Sequence, residues 1–279
     1  MAKKSGSTTT PEQRHEQIRT FVLPNKESFT VQWKHGKKEI GNRVHEIGKD
    51  LFSQFTAKGV GSVTLVSILT GGLVFTADLI RALNDEHLNE HPPVSGEEHK
   101  SSAPRNVEED KPHGELPRHI MVHLEFIKAK KYEGNTPKEL QLNPDLLDNT
   151  KIMGQHIILV DDVVDTGETL RGANDLLRAR KAASVTPVVL LLKRDRQQKA
   201  YGIKIDPAER RIVGIGDEEF AEDFSGHIGF VVGPEFLVGN GMDYKGALRN
   251  LSWIGAETQP RASRKGISVR LKDRSRKIS

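Results

Sequence analysis

Apolar positions recur along this chain with distinct spacings, and the alternation between them predicts its layout. In "KKEIGNRVHEIGKDLFSQF", residues 37–55, Ile40, Val44, Ile47, Leu51 and Phe52 recur at three- and four-residue steps. That is the spacing of a helix with one buried face. "SVTLVSIL", residues 62–69, is a short apolar run rich in β-branched side chains and closed by "TGG", which reads as a strand ending in a glycine turn. "LVFTADLIRAL" then predicts a helix with Val74, Leu79, Ile80 and Leu83 inward. Strand, turn and helix open an α/β unit. "RHIMVHLEFIKAKKY" predicts a strand running into a basic loop, and "HIILV" a further strand. "TGETLRGANDLLRARKAA" predicts a helix with Leu170, Ala173, Leu176 and Leu177 on one side, and "VTPVVLLLKRD" another buried strand. These strands are continuously apolar rather than alternating, as in a parallel sheet covered on both faces.

Polar sequence divides the chain. Residues 1–28 read as a flexible N-terminal arm and 29–256 as one domain. Within it, residues 85–117 carry nine acidic and three basic side chains without an apolar period, and they read as a flexible acidic insertion. "EGNTPKELQLNPDLLDNTKIMG", residues 133–154, reads as a mobile polar connection. Residues 257–279 form a basic C-terminal tail.

Composition changes this picture in two places. The chain has 279 residues, 35% hydrophobic and 29% charged, and no cysteine. Disulfides and thiolate metal sites are therefore excluded. No apolar run approaches the roughly 20 residues of a membrane span, and no apolar leader opens the sequence, so a cytoplasmic protein is expected. The net charge of +4 is unevenly placed: residues 256–279 hold eight Lys/Arg against Glu257 and Asp273, leaving 34 basic and 36 acidic residues elsewhere. A nucleic-acid argument can rest on that tail alone, and a solubilising extension is the better reading of it.

Chemistry concentrates in "HIILVDDVVDTGETL", residues 156–170. Ligands of parallel sheets bind beyond the carboxyl ends of strands, where Asp161 and Asp162 stand. Asp165, Thr166, Gly167 and Thr169 form the turn into a helix, whose first N–H groups lack partners and whose dipole is positive. Small hydroxyl residues and a glycine admit a phosphate, and the carboxylate pair suits ribose hydroxyls. A plain helix cap would explain one of these residues and leave the acid pair without a reason.

"ILVDDVVDTGETL" resembles the ribose-phosphate signature of type I phosphoribosyltransferases. "ILTGGLVFTADLIRAL" resembles the pyrophosphate loop of the hypoxanthine-guanine phosphoribosyltransferase family, and "FIKAKKY" the start of its flexible loop. "LLLKRD" is similar to its base-reading strand, and "FVVGPEFLVGNGMDYKGALRNLSWIG" to its hood. These blocks stand in family order over residues 33–256. The resemblance implies an α/β type I phosphoribosyltransferase fold, a parallel sheet flanked by helices with a small hood subdomain. It implies transfer of a 5-phosphoribosyl group from phosphoribosyl pyrophosphate to a 6-oxopurine (hypoxanthine, guanine or xanthine) in purine salvage. It makes Asp165 the general base at N7 of the purine. Asp161, Asp162, Thr166, Gly167, Glu168 and Thr169 would bind ribose and its phosphate, and Thr70, Gly71 and Arg249 pyrophosphate. Lys131 and Tyr132 would belong to the flexible loop. Lys193, Phe236, Leu237 and Asp243 would contact the purine, with Lys193 donating to the 6-oxygen and Phe236 stacking. Mg²⁺ would be held by Asp161, Asp162 and Asp243. A homodimer or homotetramer is implied, with no membrane or nucleic-acid partner.

Three positions depart from the family pattern. Thr70 stands where lysine is common, Glu168 where a basic residue is common, and Lys131 where a serine precedes the loop tyrosine. Glu168 is expected to point to solvent. Two alternatives stay open: a xanthine-preferring enzyme, and an RNA-binding regulator on the same fold using the basic tail.

Overall fold

The computed structural model describes residues 18–23, 28–90, 120–131, 140–194, 201–216, 218–219 and 225–258, with backbone alone at 84–90, 130–131 and 218–219. Strands β1 (Ile18–Val22) and β2 (Ser28–His35) lead into helix α1 (Lys37–Ala57). Then come β3 (Ser62–Leu69), helix α2 (Gly72–Glu90), β4 (Met121–Lys131) and β5 (Leu140–Asn143). β6 (His156–Val164), helix α3 (Glu168–Ala179) and β7 (Ser184–Lys193) continue the chain. β8 (Ile203–Asp206), β9 (Arg211–Ile215), β10 (Glu218–Glu219), β11 (Gly226–Val232), β12 (Leu237–Val238) and β13 (Ile254–Glu257) complete the order.

Nine strands form the main sheet, in the order β10-β9-β11-β7-β6-β3-β4-β5 with β8 paired to β9. Its centre, β11-β7-β6-β3-β4, is parallel, and the edges are antiparallel. Side chains alternate across a strand, so the continuous apolar runs feed two cores. Val63, Leu65, Ile158 and Val160 pack with Ile47, Leu51 and Phe55 of α1 and Phe75 and Leu79 of α2. Val66, Ile68, Ile157 and Leu159 pack with Leu170, Ala173 and Leu177 of α3 on the opposite face. Both faces are covered, as the sequence predicts.

A second sheet of four strands, β1-β2-β13-β12, joins the two ends of the described chain. It carries its own small core of Leu23, Phe29, Val31, Val238, Tyr244 and Trp253. This is the hood. No helix among the described residues is long and apolar enough to cross a membrane.

The structure corrects several local expectations. Ile18–Val22 is a strand rather than part of an arm, paired with β2 from Ile18↔Gln32 to Val22↔Ser28. Val74 is 38% exposed; Phe75 takes the inward position on α2, because the helix phase is set by Phe75, Leu79 and Leu83. The 133–154 connection contains β5, whose Leu140 and Leu142 lie against Gly172 of α3. Helix α2 runs to Glu90, past the expected start of the insertion at 85; residues 91–117 lie outside the described residues, as does the tail from 259.

Candidate active site

Parallel strands β3, β6 and β7 bring their carboxyl ends to one edge of the sheet, and the site is built from the turns beyond those ends. After β3 the Leu69–Thr70 peptide is cis, and Thr70 and Gly71 turn into α2. A Cβ on Gly71 would overlap the Asp162 carboxylate, so only glycine lets this loop lie against the neighbouring strand end. The hood reaches the same loop: a Cβ on Gly241 would overlap the Gly71 carbonyl oxygen. Arg249 Nη1 donates to Gly241 O at 2.7 Å.

These segments enclose a cleft of about 360 Å³. Thr70 and Gly71 line it from the first loop, Asp162, Val163 and Asp165 from the end of β6, and Lys193 from the end of β7. Phe236, Leu237, Met242, Asp243 and Arg249 line it from the hood. The sequence marks all of these except Val163 and Met242, whose apolar side chains carry no motif signal. A larger hollow of about 500 Å³ lies between α1, α2 and the segment around Asn250, and it shares Arg249 with the cleft. Its one carboxylate, Asp78, is already paired with Arg81 at 2.7 Å. The smaller space gathers three carboxylates, Asp162, Asp165 and Asp243, with Lys193 and Arg249.

Within the cleft, Lys193 Nζ donates to Asp165 Oδ2 at 3.0 Å. The Lys193 side chain is 11% exposed and that of Asp165 56%, so the pair spans from the strand end to the open side. Phe236 meets Phe29 at 6.4 Å and Tyr244 at 5.9 Å, both edge-on, while Phe29 and Tyr244 stack at 4.2 Å. Those contacts fix the plane of the Phe236 ring. Asp243 accepts from Arg249 Nη2 at 2.8 Å and, through its other oxygen, from Gly246 N at 2.5 Å.

Asp161 and Asp162 separate. β6 runs on through both, with Asp161 in register with Val189 of β7. Asp162 lines the cleft, whereas Asp161 is 5% exposed and is not among the cleft-lining residues. Asp161 Oδ1 accepts from Asp162 N at 3.1 Å. Burial pushes the Asp161 carboxyl well above the ordinary carboxylate range, and the charge of Asp162 adds to it. Burial also raises Asp162, against hydrogen bonds and the charge of Arg249 that hold it down.

The raised pair makes a prediction about the free protein. A carboxyl whose folded-state pKa exceeds its unfolded value favours folding in its neutral form. That stability is full below the ordinary value of 3.8 and is lost as pH rises through the raised one. Asn at position 161 keeps the acceptor for Asp162 N and removes the buried charge. Asp161→Asn should therefore melt higher than wild type at pH 7, with the advantage shrinking towards pH 4. Melting scans across that range check it; an equal or lower melting temperature at pH 7 would contradict a buried, unfavourable carboxylate.

The turn into α3 forms as expected. Gly167 precedes α3 with φ 88°, and a Cβ there would stand 2.6 Å from Ile203 Cγ1, so conformation and space both require glycine. Thr166 Oγ1 accepts from Glu168 N at 3.4 Å. Thr169 is half-buried on the first turn, and Glu168 is likewise half-buried rather than fully turned to solvent. Lys131 ends β4, where the backbone alone is described, and Tyr132 lies outside the described residues.

Carboxylate oxygens suit a hard cation such as Mg²⁺, which takes one or two of them and completes its shell from substrate and water. Asp162 fits: it lines the cleft, and burial resists its ionisation while a cation would favour it, whereas Asp161 lies outside the cleft lining. Asp243 fits less directly, since both its oxygens are engaged. Among the described residues no cluster of three His, Cys, Asp or Glu could hold a metal alone.

A family model described as the phosphoribosyl transferase domain matches residues 36–222. The chain is 26% identical over 221 residues to the hypoxanthine phosphoribosyltransferase of Haemophilus influenzae, covering 78% of this chain and 90% of that one. It is 34% identical over 143 residues to the hypoxanthine-guanine phosphoribosyltransferase of Streptococcus pneumoniae, covering 50% of this chain and 67% of that one. Among solved structures, the Trypanosoma cruzi hypoxanthine phosphoribosyltransferase in complex with the product IMP superposes with a TM-score of 0.56 at 23% identity. It covers 82% of this chain and 95% of that one, a likeness of fold.

Proposed function

This chain belongs to the phosphoribosyl transferase family, and on that premise we propose that it is a purine salvage enzyme. It transfers the 5-phosphoribosyl group from phosphoribosyl pyrophosphate to a 6-oxopurine, hypoxanthine or guanine, and releases pyrophosphate. The observation that carries this reading is the Lys193–Asp165 pair at 3.0 Å, set in one cleft with the Phe236 ring.

A 6-oxopurine has an acceptor at O6 beside an N–H at position 7. Lying against Phe236, it splits the ion pair: Lys193 turns its N–H to the 6-oxygen, and Asp165 faces the N7 proton. Adenine presents an amino donor where the ammonium also donates, and the two repel. As N9 bonds to the anomeric carbon, the bond to pyrophosphate breaks and Asp165 takes the proton lost by the base. Asp162 lies where positive charge develops on the sugar, and anionic groups there lower the barrier. Thr166, Gly167 and Thr169 receive the 5′-phosphate at the start of α3. Thr70 and Gly71 receive pyrophosphate through backbone groups, with Arg249 supplying charge. Asp162, with Asp161 and Asp243, would hold Mg²⁺, which would supply positive charge against the departing pyrophosphate. The working assembly in this reading is a cytoplasmic homodimer or homotetramer.

The test is pyrophosphate release from phosphoribosyl pyrophosphate and Mg²⁺ with each base in turn. Hypoxanthine and guanine should turn over, with adenine about ten- to a hundredfold poorer in kcat/KM. Xanthine turned over best would move the assignment to a xanthine-preferring enzyme. No turnover with any 6-oxopurine would overturn the reading.

A further inference from the structure

In the proposed reaction pyrophosphate meets the loop between β3 and α2, where Thr70 offers it no charged side chain and backbone groups must do the binding. Backbone donors bind well only where they are aimed. A loop of Thr70, Gly71 and Gly72 has more conformational freedom than most, so something outside it must fix it. Ser67, three residues before the loop, stands on β3 in register with Phe126 of β4 and Val160 of β6. Thr76, one turn into α2, donates from Oγ1 to Ser67 Oγ at 2.8 Å. Both residues are buried, at 0% and 1% exposure, on the face of the sheet where Leu65, Val160, Phe75 and Leu79 form an apolar core. The first residue of α2 sits close over the same point: a Cβ on Gly72 would stand 3.3 Å from Ser67 Oγ and 3.4 Å from Val160 O. A threonine inside a helix often turns its hydroxyl back to the carbonyl four residues earlier. Here it reaches across to the strand.

We propose that this hydrogen bond is a staple beneath the pyrophosphate loop, with Thr76 and Ser67 as positioning residues for the phosphoribosyl donor. It joins two side chains nine residues apart, one on each side of residues 70–72, so the loop cannot shift along the strand end without breaking it. A hydroxyl pair in an apolar core adds little net stability, since an apolar pair of the same shape would do about as well. What it adds is a fixed distance and direction. Apolar packing of Phe75 and Leu79 holds α2 on the sheet, and the staple sets where along β3 the helix begins. That seat puts Thr70 and Gly71 on the cleft wall, with Gly71 against the Asp162 carboxylate. The inference rests on the reading of this cleft as a phosphoribosyl-transfer site and deepens it.

Thr76→Val keeps the shape and removes the donor. It should raise both KM for phosphoribosyl pyrophosphate and Kd for pyrophosphate with Mg²⁺ by about tenfold, since misplacing a binding group by about 1 Å can cost up to about a hundredfold. KM for hypoxanthine and Kd for IMP, which carries no pyrophosphate, should stay within about twofold of wild type. The variant should also melt lower, because Ser67 loses the donor from which it accepts. Thr76→Ser keeps the hydroxyl and should restore the donor KM. Ser67→Ala with Thr76→Val removes both polar groups, and it should regain most of the melting temperature while the donor KM stays raised. A double variant that regains both would make the pair a matter of core packing and overturn the inference. An unchanged donor KM in Thr76→Val, a parallel loss of affinity for every ligand, or no rescue by Thr76→Ser would overturn it as well. A wild type that turns over no 6-oxopurine, yet binds pyrophosphate more tightly than Thr76→Val does, removes the base assignment and leaves the staple standing. One that binds no pyrophosphate overturns both.

Discussion

Asp165→Asn should lower kcat by roughly 10²–10⁴ while leaving affinity for phosphoribosyl pyrophosphate nearly intact. Asp165 stands on the turn between β6 and α3, with its Oδ2 accepting from Lys193 Nζ at 3.0 Å and its side chain 56% exposed. Asn has the same size, and its amide oxygen can accept the same hydrogen bond, so the turn and the lysine should stay in place. Two things are lost. The amide cannot take the N7 proton, and it brings no negative charge to a site where the sugar becomes positive. Thr166, Gly167 and Thr169 contribute through backbone groups and hydroxyls that the substitution does not touch, which is why the phosphoribosyl donor should still bind. Steady-state kinetics with hypoxanthine, with donor binding measured separately, check both halves. Near-normal turnover would remove Asp165 from proton transfer. A matching loss of donor affinity would instead make it a support for the turn.

How far the sequence could be read depended on whether a residue's partner was local. β3 and β7 were legible because each run is apolar on both faces, and Val63, Leu65, Val66 and Ile68 do fill two opposite cores. The extent of β6 was less clear, since carboxylates at 161 and 162 look like an end. The backbone pairing with β7 nevertheless continues to Val164↔Leu192 and carries them into the strand. That continuation is also what buries Asp161, a placement no spacing rule could give. The hood sheet was illegible for a different reason: β2 pairs with β13 across more than two hundred residues, as in Gln32↔Ala256. Leu140 and Leu142 alternate in a stretch otherwise polar, and their use is plain only once α3 lies beside them. In the site, residues embedded in motifs were found. The ion pair of Lys34 with Glu235 was not, because a strand lysine and an acid after a proline show no link until the fold brings them together at 3.3 Å.

Lys193→Ala should raise KM for hypoxanthine and guanine by roughly tenfold to more than a hundredfold and narrow the gap to adenine. The lysine closes β7, where its backbone stands in register with Val232 and its side chain is almost buried. An ammonium is a donor only, so in this position it satisfies an oxo group and opposes an amino group. Alanine removes both effects: the 6-oxygen is left buried without a donor, and adenine no longer meets a like donor. Asp165 loses its partner but is more than half exposed, so water can solvate it and the fold should tolerate the change. Donor affinity should move little, because the phosphate turn lies at the start of α3, on a different strand end. The measurement is kcat/KM for hypoxanthine, guanine, xanthine and adenine in both proteins. An unchanged ranking with unchanged KM values would show that Lys193 does not read the 6-position, and selection would then have to come from Leu237 and the hood backbone. A collapse of turnover with every base alike would instead mark the lysine as a partner of Asp165 in proton transfer. Only a loss confined to 6-oxopurines assigns it to recognition, because only recognition depends on which atom the base presents at that corner.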